Sequence, residues 1–286
     1  MKRLVMIMAL GALGCGAAES ATSSTTIAAS NDSAAPATEP IEGAESFFAE
    51  RGLEGAFVLR RNEPGAPYRA IGDVDRRDVP ASTFKIPNTL IGLETGVIPD
   101  ASFTLEWDGV ERQFPAWNRD HDLRGAINES VVWWYQELAR RVGYERMGEL
   151  VRAMRFGDAN IGGEEVIDRF WLDGPLGISP REQVDFLARL TSGELPVSPR
   201  SVAILRDVMP SEEHGETTVR FKTGTFWMTG QDVPVHAWLV GWVEQGGEER
   251  AHFALILRSD DPDRLSTLME ARRPLLAELL AREGLL

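Results

Sequence analysis

Ser82 and Lys85 stand one helical turn apart in Ala81-Ser82-Thr83-Phe84-Lys85, where an apolar helical pattern begins. A serine hydroxyl is a weak nucleophile until a base takes its proton. A lysine can be that base only if its surroundings lower its pKa from about 10.4, or if it is chemically modified. Phe84, Ile86 and Pro87 are apolar neighbours that favour a neutral amine. The backbone N–H of Ser82, at a helix N-terminus, is suited to stabilise an oxyanion. Alone, S-x-x-K also describes a capping serine followed by an exposed lysine. Two further segments make it specific. Ser130-Val131-Val132 opens a second apolar helix, and Lys222-Thr223-Gly224 lies in a late strand. On that strand Lys222 offers a cation for a substrate carboxylate and Thr223 a hydroxyl. Gly224 leaves room for a substrate amide to lie alongside.

Other chemistry is weaker. His121, His214, His236 and His252 are scattered without metal-ligand spacing, and no serine sits in a G-x-S-x-G elbow. Trp133 follows Ser130 by one turn, which leaves it either in the core or on the edge of a cleft.

The elements that must hold these residues follow from periodicity. Phe47, Phe48 and Leu53 suggest a short amphipathic helix, with strands at Ala56-Phe57-Val58-Leu59 and around Tyr68 to Ile71. From Ser82 to about Met209 the pattern is mostly helical. Ser179-Pro180 and Ser198-Pro199 read as N-caps followed by proline at the first helical position. Strands return over Val219 to Met228, Ala237 to Val243 and His252 to Leu257, before an amphipathic helix from Arg264 to Arg282. The expected fold is mixed α/β. An antiparallel sheet is built from both chain ends and flanked by helices, with an inserted helical region and the cleft between.

The 286 residues carry 30 Lys and Arg against 44 Asp and Glu, a formal charge of −14. That balance excludes nucleic acid as a natural partner and disfavours a basic, membrane-coating role. Met1-Lys2-Arg3 and the apolar run Leu4 to Leu13 form an export signal over residues 1–18, too short for a permanent span. Cys15 is the only cysteine, so no internal disulfide forms. Two readings stand: lipidation of Cys15 as a lipoprotein, or cleavage near Ala17 or Ala18 with Cys15 discarded. Residues 19–40, rich in Ser, Thr and Ala, read as a flexible tether, which favours the first. Residues 41–286 form the catalytic domain. The expected location is the periplasm, attached to a membrane through Cys15, as a monomer or homodimer.

The stretch Pro80-Ala81-Ser82-Thr83-Phe84-Lys85-Ile86-Pro87-Asn88, continued by Leu93-Glu94-Thr95-Gly96, resembles the class D (oxacillinase-type) serine β-lactamases. So do Leu123-Arg124-Gly125-Ala126-Ile127, Phe170-Trp171-Leu172-Asp173-Gly174 and Val240-Gly241-Trp242-Val243-Glu244. The resemblance covers roughly residues 45–286 and implies a penicillin-binding transpeptidase-like fold. It implies that a β-lactam acylates Ser82 and that the ester is then hydrolysed. It places a carbon dioxide-derived carbamate on Lys85 as general base, with no other cofactor and no metal. It has Trp171 hydrogen-bonding the carbamate and Val132 packing beside it. Ser130 would relay a proton to the leaving nitrogen, and the N–H of Thr225 would complete the oxyanion hole. Arg272, adjacent to Arg273, corresponds to the family's substrate-carboxylate arginine. One segment departs: Phe156-Gly157-Asp158 replaces Tyr-Gly-Asn, which removes a hydroxyl and puts a carboxylate near the cleft. A β-lactam sensor that stays acylated and a cell-wall D,D-peptidase share parts of this pattern. Sensors of this fold carry membrane-spanning signalling segments, and the Trp171 segment and Phe84 oppose the peptidase.

Overall fold

The computed structural model describes residues 36–44, 46–228 and 233–286. The export signal and Cys15 lie outside the described residues, as does most of the expected tether. The tether does not reach residue 40. Thr38–Pro40 form strand β1, paired in parallel with Tyr68–Ile71 (β3). All three β1 side chains are exposed, so backbone pairing orders the segment together with surface contacts of Thr38 to Arg181 (2.9 Å) and Glu39 to Arg69 (3.2 Å), and composition gives no sign of it.

The other strands are Glu54–Arg61 (β2), Thr104–Leu105 (β4), His121–Asp122 (β5), Ser211–His214 (β6), Thr217–Phe226 (β7), Val235–Gln245 (β8) and Glu248–Ser259 (β9). The main sheet has the order β1-β3-β2-β9-β8-β7-β6 and is antiparallel except for β1 against β3. Strands from both chain ends therefore meet at β2 and β9, as the sequence predicts. The edge strand β6 went unread because its Ser-Glu-Glu-His sequence is almost wholly exposed.

Helices are Lys85–Glu94 (α1), Leu123–Asn128 (α2), Val132–Val142 (α3), Tyr144–Ala153 (α4), Pro180–Thr191 (α5), Pro199–Val208 (α6) and Leu265–Arg282 (α7). Ser179 accepts from the Glu182 N–H while Glu182 accepts from the Ser179 N–H, a full capping box on α5. Ser198 caps α6 by accepting from the Ser201 N–H, without a capping box. The inserted region is less helical than its pattern suggested, since long irregular stretches join α1 to α2 and α4 to α5. The expected helix at Phe47 and Phe48 is only turns and a 3-10 segment, Ala49–Arg51.

The sheet is buried on both faces, and its period of two sorts the side chains. From β8, Val235, Ala237, Leu239 and Val243 enter one core with Phe47, Phe57 and α7 residues Leu268, Leu276 and Leu279. Trp238, Val240 and Trp242 enter the opposite core with Phe84, Trp134, Trp171 and the helical region. The catalytic candidates sit where that second core opens at β7.

Candidate active site

Ser82 lies in a 3-10 turn, Ala81–Phe84, that runs into α1. Ala81 ahead of it has φ +48°, a left-handed conformation that costs a non-glycine residue energy. The segment leading to this turn is held firmly. His236 Nε2 and Trp238 Nε1 both hydrogen-bond the Val79 carbonyl, at 2.8 and 3.0 Å. The buried Arg258–Asp78 pair, at 2.7 Å, anchors the residue before it. Thr83 Oγ1 donates to the Pro80 carbonyl (2.8 Å) and accepts from Gln183 Nε2 (2.8 Å). Apart from the local Thr83–Pro80 bond, these supports were not legible, because their residues are far apart in sequence.

Lys85 opens α1 and is wholly buried. Its Nζ is hydrogen-bonded to Ser82 Oγ at 2.7 Å, the contact expected of an i, i+3 pair. Burial holds the Lys85 ammonium pKa well below its usual value, and the nearby Lys222 charge adds to the effect. Tyr135 places its ring 5.2 Å from Nζ. Phe84 stacks on Trp171 at 5.2 Å and 25°, with Phe170 and Phe156 packed edge-on against Phe84. Trp171 is fully buried and its Nε1 has no hydrogen-bond partner. A buried, unsatisfied indole N–H calls for an acceptor.

Ser130 is not an N-cap. Val131 occupies that position on α3, and Ser130 is left-handed at φ +55°. Its hydroxyl accepts a hydrogen bond from Lys222 Nζ at 3.1 Å. Lys222 also donates to the Thr223 carbonyl at 3.1 Å and is 1% exposed, so burial and then the Arg272 charge bring its pKa down to about 7. Val132 is the half-buried first residue of α3 and is not part of the cleft lining.

The cleft has a volume of about 470 Å³, lined by Ser82, Ser130, Thr223, Gly224, Thr225 and Arg272 among others. Arg272 Nη1 donates to the Gly224 carbonyl (3.2 Å) and Thr225 Oγ1 (3.1 Å), while Arg273 turns outward to Glu212 (3.0 Å). The fold thus separates two adjacent arginines that sequence alone could not. Gly224 has a different reason for being glycine from the one expected. A Cβ there would stand 2.8 Å from the Pro80 carbonyl and 3.0 Å from Thr83 Cγ2, so it is the nucleophile's own turn that needs the space. Sequence reasoning missed the apolar part of the lining. Phe114, Trp117, Trp227 and Met269 make it, with Phe114 4.7 Å from Trp117 and 6.4 Å from Trp227 between ring centroids. The clustered aromatics of Phe114-Pro115-Ala116-Trp117 in a polar stretch were the available signal. Trp133 is buried and supports this lining from behind, donating to the Trp117 carbonyl at 2.8 Å. Among the described residues, no group of three or more His, Cys, Asp or Glu is placed to hold a metal.

The family model for the penicillin-binding protein transpeptidase domain matches residues 17–280. Beta-lactamase OXA-5 of Pseudomonas aeruginosa is 38% identical over 240 residues, covering 84% of this chain and 87% of that protein. The chain belongs to the class D β-lactamases. Beta-lactamase OXA-48 of Klebsiella pneumoniae is 40% identical over 200 residues, 70% of this chain and 74% of its own length. Among solved structures, the class D β-lactamase of Sebaldella termitidis superposes with a TM-score of 0.80 at 30% identity. That match covers 88% of this chain and all of the other (100%). The mixed α/β fold of this class D chain is that of the family.

Within that family frame, the departure at Phe156-Gly157-Asp158 is structural. Phe156 is buried between Phe84 and Phe186, where a hydroxyl would need a partner. Asp158 does not line the cleft, contrary to expectation. It is exposed, and its Oδ1 accepts from the N–H groups of Asn160 (3.0 Å) and Gly177 (3.2 Å).

Proposed function

We propose that this chain hydrolyses the amide bond of penicillin-type β-lactams through an acyl-enzyme on Ser82, and so confers resistance to them. The observation that carries the reading is the Ser82–Lys85 contact at 2.7 Å, with Lys85 wholly buried behind Ser82, where burial favours its neutral form. A neutral amine beside the hydroxyl favours its deprotonation as the Ser82 Oγ–carbonyl bond forms. The Ser82 and Thr225 N–H groups are the donors proposed for the oxyanion. The substrate carboxylate is assigned to Arg272, with Thr223 beside it and Lys222 adding charge below. Ser130, bonded to Lys222 at 3.1 Å, is placed to hand a proton to the leaving nitrogen. The aromatic wall excludes water around the reacting bond.

The residues around Lys85 fit the carbamate that the family implies. A neutral amine can add carbon dioxide, and the unpartnered Trp171 N–H is a donor that a buried carboxylate would require. Val132 is assigned beside it. When bound, the group supplies a general base for acylation and for activating the deacylating water. The N-terminal residues support export to the periplasm with Cys15 as a lipid anchor. Palmitate labelling lost in Cys15→Ser would bear this out, and unchanged labelling would refute it.

Steady-state hydrolysis of a chromogenic cephalosporin, with and without bicarbonate, tests the function. Many turnovers, faster with bicarbonate, are expected. A single stoichiometric burst would overturn the hydrolase reading in favour of a sensor.

A further inference from the structure

Only two charged side chains line the cleft among its described residues: Arg272 and Glu129. Arg272 has a role in the hydrolase reading, and Glu129 has none. Glu129 is the C-cap residue just after α2, immediately precedes Ser130, and is solvent-exposed. Its backbone is pinned on both sides: the N–H donates to the Gly125 carbonyl at 3.0 Å, and the carbonyl accepts from Trp117 Nε1 at 2.9 Å. Nearby cations are engaged elsewhere, Arg112 with Asp108 at 2.7 Å and Arg124 with Asp207. Glu129 is therefore an exposed part of the cleft lining on a fixed backbone. The same lining holds the rings of Trp117, Phe114 and Trp227, with Phe114 4.7 Å from Trp117 and 6.4 Å from Trp227 between centroids.

A carboxylate set among aromatic faces is the chemistry that recognises a quaternary ammonium. Position says which part of a substrate it meets. Ser130 faces the leaving nitrogen and Arg272 the carboxylate, and both of these belong to the fused ring of a β-lactam. Glu129 adjoins Ser130, so it meets substituents on that ring and not those on the acyl side chain.

We propose that Glu129, with the Trp117 and Phe114 faces, selects β-lactams that carry a cationic group on the fused ring. The proposal rests on the hydrolase reading for the orientation of the substrate. It makes Glu129 a specificity residue and gives it no part in the bond-making steps. An exposed ion pair supplemented by cation–π contact corresponds to about a threefold to tenfold preference.

The test uses cefepime and cefotaxime, which share an acyl side chain and differ in the ring substituent, a quaternary ammonium against a neutral acetoxymethyl. The cefepime-to-cefotaxime ratio of kcat/KM should fall about threefold to tenfold in Glu129→Gln and be retained in Glu129→Asp. Glu248→Gln, a surface carboxylate far from the cleft in the β8–β9 hairpin, should leave the ratio unchanged and so exclude the general field of an acidic protein. Ampicillin and benzylpenicillin, which differ by an ammonium on the acyl side, should keep their ratio in Glu129→Gln. The proposal is overturned if both cephalosporins lose rate equally, if the ampicillin ratio moves instead, or if Glu248→Gln has the same effect. Equilibrium binding of the cephalosporin pair to Ser82→Ala reads the same preference without turnover. A chain that never hydrolyses would thus sink the hydrolase reading while the binding ratio still decides the role of Glu129.

Discussion

Trp171→Phe separates two things that one indole does. Its ring stacks on Phe84 at 5.2 Å, and its buried N–H has no acceptor. An unsatisfied buried donor costs about 1–3 kcal/mol. Phenylalanine keeps a ring in the stack and removes that donor, but leaves a cavity costing roughly 1–3 kcal/mol. The two nearly cancel, so without bicarbonate Tm should move by less than about 4 °C, at about 2–4 °C per kcal/mol for a domain of this size. Bicarbonate changes the comparison. A group that forms only on the folded chain, at about 100 times its dissociation constant, stabilises by about 2.7 kcal/mol, roughly 5–11 °C on the same scale. Losing a charge-assisted hydrogen bond of about 1.5–3 kcal/mol lowers the affinity about tenfold to a hundredfold. The gain in the variant then shrinks to about 0.4–1.4 kcal/mol. Calorimetry with and without bicarbonate reads this directly, and a ¹³C NMR carbamate signal from labelled bicarbonate reads it independently of activity. Equal Tm gains and equal carbamate signals in the two proteins would refute the assignment of Trp171.

Gly224→Ala should slow acylation at least tenfold and destabilise by about 1–3 kcal/mol, because the new methyl meets the Pro80 carbonyl and Thr83 beside Ser82; wild-type acylation in a mass-shift time course would contradict this. Lys222, with a pKa of about 7, is cationic below that pH and neutral above it, so KM for anionic substrates should rise from pH 6 to 8 more than kcat changes. Lys222→Arg should flatten that rise, and an unaltered profile would remove Lys222 from carboxylate binding. In stability the sign is the reverse of a salt-bridged lysine's. The folded pKa lies below the unfolded value of about 10.4, so the unfolded chain binds more protons and stability rises with pH between about 7 and 10. Denaturation at a series of pH values checks it, and a fall across that window would refute it. Arg272→Ala should lower kcat/KM about tenfold to a hundredfold, the scale of a lost charged hydrogen bond, while Arg273→Ala should change it less than twofold; equal effects would refute the assignment to Arg272.

Much of the fold was readable because its main signals are periodic. The β-branched and aromatic runs of β8 and β9 and the N-caps at Ser179 and Ser198 are local signals, and the structure follows them. The polar edge strands β1 and β6 follow no such rule, since backbone pairing and surface polar contacts hold them and no apolar face is buried. Motifs within a few residues of one another were legible as candidate chemistry, whereas their supports were not. The Val79 carbonyl is held by His236 and Trp238, a contact set up by sheet register across most of the chain.

The sequence by itself determined the inventory: a serine with a lysine one turn on, Ser130, K-T-G, and the Trp171 segment, each on an element set by local periodicity. Tertiary structure decided what these residues are. Burial shifts Lys85 toward the neutral amine, because the charged form loses its hydration there. A left-handed Ser130 becomes a partner of Lys222 and not a helix cap. Packing sends Arg272 into the cleft and Arg273 to the surface, and confines Asp158 to a turn. Desolvation and direction belong to the assembled core, and no stretch of residues carries them alone.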